Sequence, residues 1–309
     1  MKKLLKKLTI LFLSVSLFLC LLIVAPFPAI DSMSMYQRKH KLCESVLGKK
    51  IILVGGSGVF YSMDAKLLEK QITGYHVVNM GLNAGLGLKF NLDEIKSYIN
   101  PGDIIVLIPE YNNYEGGYLG SVSTLLAINS FPKALIFSPR EHIKYLLYSH
   151  GFEFIPTKCQ NYLNDVVLYI TKTSPSMSSN GDIITRTEKR DVSKMPLSCN
   201  FEFGNATYKG CAALIESFND YCKKRNAYAV LSFSAIPIPH YEKNKSQLAS
   251  LYMNLSRDTN IPILSGPEQS IYPLDYFDDT IFHMNTEYKS IYSLDLLNRL
   301  RQLYPELIN

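Results

Sequence analysis

The run Lys49-Lys50-Ile51-Ile52-Leu53-Val54-Gly55-Gly56-Ser57-Gly58 decides how this chain folds. Its core, Ile51 to Val54, is continuously apolar and rich in β-branched residues. That suits a strand buried on both faces, as strands in parallel sheets are. The glycines that end it mark a sharp turn, and helical spacing follows from about Met63 to Ile72. The same pattern then recurs. His76-Val77-Val78-Asn79-Met80 reads as a second strand that runs into a glycine-rich turn from Gly81 to Gly87. Leu92, Ile95 and Ile99 follow at helical spacing, and Pro101-Gly102-Asp103 turns the chain into a third strand, Ile104 to Ile108. Farther on, a helix from about Tyr208 to Arg225 leads to a fourth strand, Tyr228 to Phe233, which Pro237 and Pro239 end. A polar helix, a short fifth strand at Ile261-Pro262-Ile263-Leu264 and a helix from about Thr286 to Leu303 close the series.

Alternating strands and helices with short connections predict an α/β fold. It is a doubly wound parallel sheet of about five strands in a three-layer sandwich, with right-handed crossovers. Residues 31–309 are read as one such domain, interrupted around 117–207 by a helical and loop insertion. Within it, Ser174 to Cys199 is rich in Ser, Thr, Asn and charge and reads as a long surface loop or a substrate-side insertion. There is no internal repeat. Ligands of such sheets bind beyond the carboxyl ends of the strands. The segments to examine are therefore Ser57, the turn from Asn79 to Gly87, Pro109 to Asn113, His240, and Asp275 to His283.

The first thirty residues differ from the rest. Lys2, Lys3, Lys6 and Lys7 precede an uncharged stretch from Leu8 to Ile30, broken only by Pro26 and Pro28. About 20 apolar residues span the hydrocarbon layer, and a lysine flank stays cytoplasmic. Residues 1–30 thus read as an uncleaved transmembrane anchor or a cleaved signal segment. Either places the bulk of the chain on the non-cytoplasmic side of a bacterial cell membrane. These four lysines supply most of the formal net charge of +5, so the remainder is close to neutral. That excludes a broadly nucleic-acid-binding protein, which needs a basic face. Six cysteines show neither a C-x-x-C pair nor zinc spacing, so no metal is expected. Outside the cytoplasm Cys159, Cys199, Cys211 and Cys222 are disulfide candidates, with buried free thiols as the alternative. Cys211 and Cys222 share a predicted helix about 16 Å apart along its axis, too far to pair with each other.

Two places carry chemistry. Ser57 follows the first strand directly, between glycines that allow a sharp turn and close approach to its amide. A Ser hydroxyl needs an adjacent base to act as a nucleophile. The phosphate-loop pattern G-x-x-x-x-G-K-[ST], the dinucleotide pattern G-x-G-x-x-G and the elbow G-x-S-x-G all fail here. A plain tight turn is the alternative. At the far end, Asp275-Tyr276-Phe277-Asp278-Asp279-Thr280-Ile281-Phe282-His283 sets one histidine in an acidic segment. A carboxylate just before a His can hold the imidazole while it takes a proton from a serine.

Together these segments resemble the SGNH hydrolases, also called GDSL-type esterases and acyltransferases. The resemblance runs from about Lys50 to the C-terminus and is strongest to membrane-anchored bacterial members associated with surface polysaccharides. Gly55-Gly56-Ser57-Gly58 is similar to the first block, with Ser57 the nucleophile. Asn79-Met80-Gly81-Leu82-Asn83-Ala84-Gly85-Leu86-Gly87 is similar to the second, which implies an oxyanion-hole amide, assigned to Gly85 rather than Gly81. Asp279-Thr280-Ile281-Phe282-His283-Met284-Asn285 is similar to the terminal Asp-His block, implying His283 as base and Asp279 as its orienter. Asp278, its neighbour, is then expected to face solvent or cap a turn. The third block departs. Where the family has Gly-x-Asn, this chain has Pro109-Glu110-Tyr111-Asn112-Asn113, which puts Glu110 and Asn112 at the oxyanion or substrate position.

The implied function is an envelope-bound serine esterase or O-acyltransferase. It would act on acyl esters, acetyl above all, of a cell-surface glycan, with no cofactor, and with a membrane partner in a surface-polymer pathway. The alternative is a non-catalytic glycan- or partner-binding module of the same fold. Glu110 motivates it, because a carboxylate beside a developing oxyanion opposes catalysis. Tyr111, Tyr114 and Tyr118 would then be candidates to stack on sugars.

Overall fold

The computed structural model describes residues 2–24, 34–171, 176–184 and 199–306. Four parallel strands form the sheet: β1 (Lys50–Gly55), β2 (His76–Asn79), β3 (Ile104–Ile108) and β4 (Tyr228–Leu231), in the order β2-β1-β3-β4. In β1, Ile52 and Val54 face one core while Ile51 and Leu53 face the other. Val78 and Val77 divide the same way in β2, and Ile105 and Leu107 against Ile104, Val106 and Ile108 in β3. Side chains alternate across a strand, and both faces are covered, so the sequence shows an unbroken apolar run.

Eleven α-helices are present among the described residues. In chain order they are α1 (Lys2–Val24), α2 (Ser34–Ser45), α3 (Ser57–Ser62), α4 (Ala65–Lys70), α5 (Leu88–Ile95) and α6 (Val122–Ser130). Then follow α7 (Ala134–Phe137), α8 (Arg140–Thr171), α9 (Asn205–Lys224), α10 (Ile238–Asp258) and α11 (Lys289–Leu303). Helices α5, α9 and α10 contribute to one core; α3, α4 and α11 contribute to the other.

At the amino ends of the strands, the buried Lys50 ammonium meets Asp103 at 3.0 Å, and the other Asp103 oxygen accepts the Lys50 amide at 2.8 Å. This ion pair ties β1 to the turn before β3. At the opposite ends, the chain leaves the sheet into the loops that carry the candidate site.

The expected fifth strand is reduced to a single bridge between Leu231 and Ile263. Pro262 accepts from the Leu231 amide but has no N–H of its own to extend the ladder. A separate two-strand pairing joins β5 (Ile236–Pro237) to β6 (Ile271–Tyr272).

Within the 117–207 region, α6, α7 and the long α8 form the helical part that the sequence led one to expect. Residues 174, 175 and 185–198 of the expected polar loop lie outside the described residues. Its described part is not a plain surface loop. The Asn79 amide donates to the Asn180 carbonyl (2.8 Å), and Asp182 accepts from the amides of Ala65 and Lys66 and from the Asn79 side chain. The segment therefore pins the end of β2 to the start of α4.

The N-terminal segment is helical, but among the described residues no helix is long and apolar enough to cross a membrane. Helix α1 carries Lys2, Lys3, Lys6 and Lys7 in its first turns and is uncharged from residue 8 to residue 24. Residues 25–30 lie outside the described residues. All six cysteines are free, with Cys43, Cys211 and Cys222 buried.

Candidate active site

Ser57 is the first residue of α3, half-buried between buried glycines. Gly56 is required by close approach: a Cβ there would lie 2.6 Å from Glu110 Oε1 and 2.8 Å from Ala84 Cα. The turn after β1 thus packs directly on the loop after β3 and on the turn after β2.

The histidine segment is a hairpin-like loop. Phe277 and Met284 form an antiparallel bridge, and the Asp278 amide donates to the His283 carbonyl at 2.9 Å. Adjacent residues in a paired segment point to opposite sides. Asp278 turns inward and is buried, while the Asp279 carboxylate meets His283 Nδ1 at 2.8 Å. The expectation that Asp278 faces solvent is corrected: its backbone pairing turns it into the protein. With Nδ1–H held by Asp279, Nε2 is left as the basic nitrogen.

Two residues that the sequence did not single out fix this loop. The Ser62 hydroxyl donates to the Phe282 carbonyl and accepts the Met284 amide, both at 2.8 Å, gripping the backbone on either side of His283. The Tyr61 ring lies 4.3 Å from the imidazole, tilted by 37°. Both belong to α3, the helix that begins at Ser57. On the same helix, a Cβ built on Gly58 would come within 3.5 Å of the Phe282 carbonyl oxygen. The residue after Ser57 therefore lies against the residue before His283.

Glu110 reaches Ser57 directly. Its Oε1 accepts the Ser57 hydroxyl at 3.0 Å and the Gly58 amide at 2.7 Å. Burial pushes its carboxyl above the usual carboxylate range; the Gly58 amide, the nearby His283 and the Ser57 hydroxyl and amide pull the other way. Among the described residues Ser57 and His283 share no hydrogen bond, so the hydroxyl rests on Glu110.

The remaining expected positions fall elsewhere. The Gly85 amide donates to Asn83 Oδ1 at 2.7 Å, and the Gly85 carbonyl accepts from Ser121 and Thr124, so this residue is committed to its own turn. Ala84 instead presents its backbone to Gly56. Asn112 is exposed and bonded to Asn113. The short helical turn Tyr111–Asn113 sends Tyr111 and Asn113 inward and Asn112 out. His240 is buried in the first turn of α10. Tyr111 and Tyr114 are buried too and offer no sugar platform; Tyr118 is partly exposed. Among the described residues no group of three His, Cys, Asp or Glu side chains is placed to hold a metal ion.

No family model matches the chain, and no curated protein matches it. Among solved structures, it is similar to protein YxiM of Bacillus subtilis, with 12% identity and a TM-score of 0.41. The match covers 84% of this chain and 57% of that one, so the chain spans little more than half of that protein's length.

Proposed function

We propose that the protein is a serine ester hydrolase or O-acyltransferase. Ser57 is its nucleophile, His283 its general base and Asp279 the group that orients the base. The observation that carries this reading is the 2.8 Å contact between His283 Nδ1 and Asp279, on a loop that Ser62 fastens to the helix starting at Ser57. In the first step Ser57 turns from Glu110 toward His283. Its oxygen attacks an ester carbonyl, its proton passes to Nε2, and the carbonyl π electrons move onto oxygen. Collapse expels the alcohol, which takes the proton back from His283. The acyl-serine is then cleared by water, in hydrolysis, or by a hydroxyl acceptor, in transfer.

The physiological ester is proposed from sequence resemblance: an acylated glycan of the cell envelope. Residues 1–30 would hold the chain at the membrane with the α/β body on the non-cytoplasmic side. Support comes from the lysine flank and from the exposed apolar side chains of α1, Phe12 and Leu17 among them. A C-terminal reporter active only in the cytoplasm would refute this placement.

The catalytic reading is tested by turnover of a chromogenic acetyl ester. Ser57→Ala should lower the rate by several orders of magnitude with an unchanged circular dichroism spectrum. A second reading, a binding module without catalysis, draws on the Glu110 contact to Ser57. It predicts that the wild-type protein and Ser57→Ala are equally inert toward esters.

A further inference from the structure

The loop after β3 brings a buried carboxyl into contact with the Ser57 hydroxyl and the Gly58 amide. We propose that Glu110 is a catalytic residue that works in its neutral form, its carboxyl donating a hydrogen bond to the oxyanion formed when Ser57 attacks an ester carbonyl. This rests on the serine-hydrolase reading above and assigns that site a requirement for a proton.

The geometry gives the argument. Glu110 Oε1 already accepts two hydrogen bonds, from the Gly58 amide and the Ser57 hydroxyl. A carboxylic proton therefore belongs on Oε2, which then becomes a donor. An ionised Glu110 would instead set a negative charge against the oxyanion, with the Asp279 carboxyl on the far side of His283. Glu110 is 3% exposed, and burial favours the neutral acid, working against the Gly58 and Ser57 hydrogen bonds and His283, which favour the ionised one. The groups that face it are few. Helix α3 presents Ser57 and Gly58, the turn after β1 presents Gly56, and the turn after β2 presents the Ala84 backbone. The 277–284 loop presents His283, the one titratable group whose charge reaches it.

Kept neutral in such a place, a carboxyl can do what an amide side chain does in an oxyanion hole. It transfers no proton. The Ser57 proton still goes to His283 and from there to the leaving alcohol, while Glu110 keeps its own throughout. The alternative role, in which Glu110 itself takes the Ser57 proton, needs the ionised form and predicts the opposite pH dependence.

The test is the pH profile of acetyl-ester turnover for the wild-type protein, Glu110→Gln and Glu110→Ala. The wild-type rate should fall with rising pH as Glu110 ionises. Glu110→Gln keeps a neutral donor, so its rate should stay within about tenfold of wild type and lose the alkaline fall. Glu110→Ala should lose about a hundredfold or more. A wild-type rate that climbs to a plateau with no alkaline fall overturns the proposal without recourse to any variant. So does a folded Glu110→Gln protein as inactive as Glu110→Ala. If Ser57→Ala leaves turnover unchanged, the serine-hydrolase reading fails and this one with it. If Ser57→Ala is inactive and Glu110→Gln is too, the proposal alone fails.

Discussion

Asp279 meets His283 at 2.8 Å, while Asp278, one residue earlier, is buried and its amide donates to the His283 carbonyl. Two adjacent acids thus do different work. Asp279→Asn removes the charge that stabilises an imidazolium and should lower turnover by about 10⁴-fold with little change in melting temperature. Asp278→Asn should act mainly on stability. Paired kinetic and melting measurements on both variants separate the roles, and an inactive Asp278→Asn beside an active Asp279→Asn contradicts the assignment.

Ser62 bridges to residues 220 and 222 positions away, donating to the Phe282 carbonyl and accepting the Met284 amide on either side of His283. Ser62→Ala leaves the buried Met284 amide without its partner, at a cost of about 1–3 kcal/mol in unfolding free energy. Because the loop it releases carries the base, turnover should fall while KM for the ester changes little. A variant with lowered stability and wild-type turnover would show that His283 is positioned without it.

At the amino ends of the strands, Lys50 and Asp103 form an ion pair with side chains at most 1% exposed. Removing one partner strands a buried charge, which typically costs about 3–5 kcal/mol. Lys50→Met should therefore lower the urea midpoint sharply, and the double variant Lys50→Met, Asp103→Leu should recover much of the loss. A single variant as stable as wild type would refute the pairing.

Lys39 of α2 is fully buried and donates to the carbonyls of Asn79 and Gly181. Burial pulls its pKa down to about 7, against the pull of Asp182 and Glu94. Between about pH 7 and the usual lysine value, the unfolded chain binds this proton and the folded one releases it. Stability should therefore rise with pH across that window, and the Lys39 contribution to the slope should vanish as pH falls through 7. Melting temperatures of wild type and Lys39→Met from pH 6.5 to 9 check this; an equal slope in both would contradict it.

Much of this architecture is legible in the sequence, because burial on both faces leaves unbroken apolar runs at Ile51–Val54 and Ile104–Ile108. The family resemblance, not residue order, pairs Asp279 rather than Asp278 with His283, and the 2.8 Å contact lies between those two residues. Other features depend on hydrogen bonds between distant segments or on local backbone turns. Gly85 looks available until Asn83 is seen to take its amide. Asn112 looks like a donor until the turn at Tyr111–Asn113 sends it outward. Ser62 carries no local signal, since both its partners come from the far end of the chain. The fifth strand failed for a reason visible in the sequence, the proline at position 262.

The central claim is that Ser57 is a nucleophile activated by His283. Its most direct test is to incubate the full chain with a fluorophosphonate probe and locate the adduct by peptide mass spectrometry. The account predicts a single covalent adduct on Ser57, abolished in Ser57→Ala and strongly slowed in His283→Ala. No adduct at Ser57, or one formed at the same rate without His283, would contradict it.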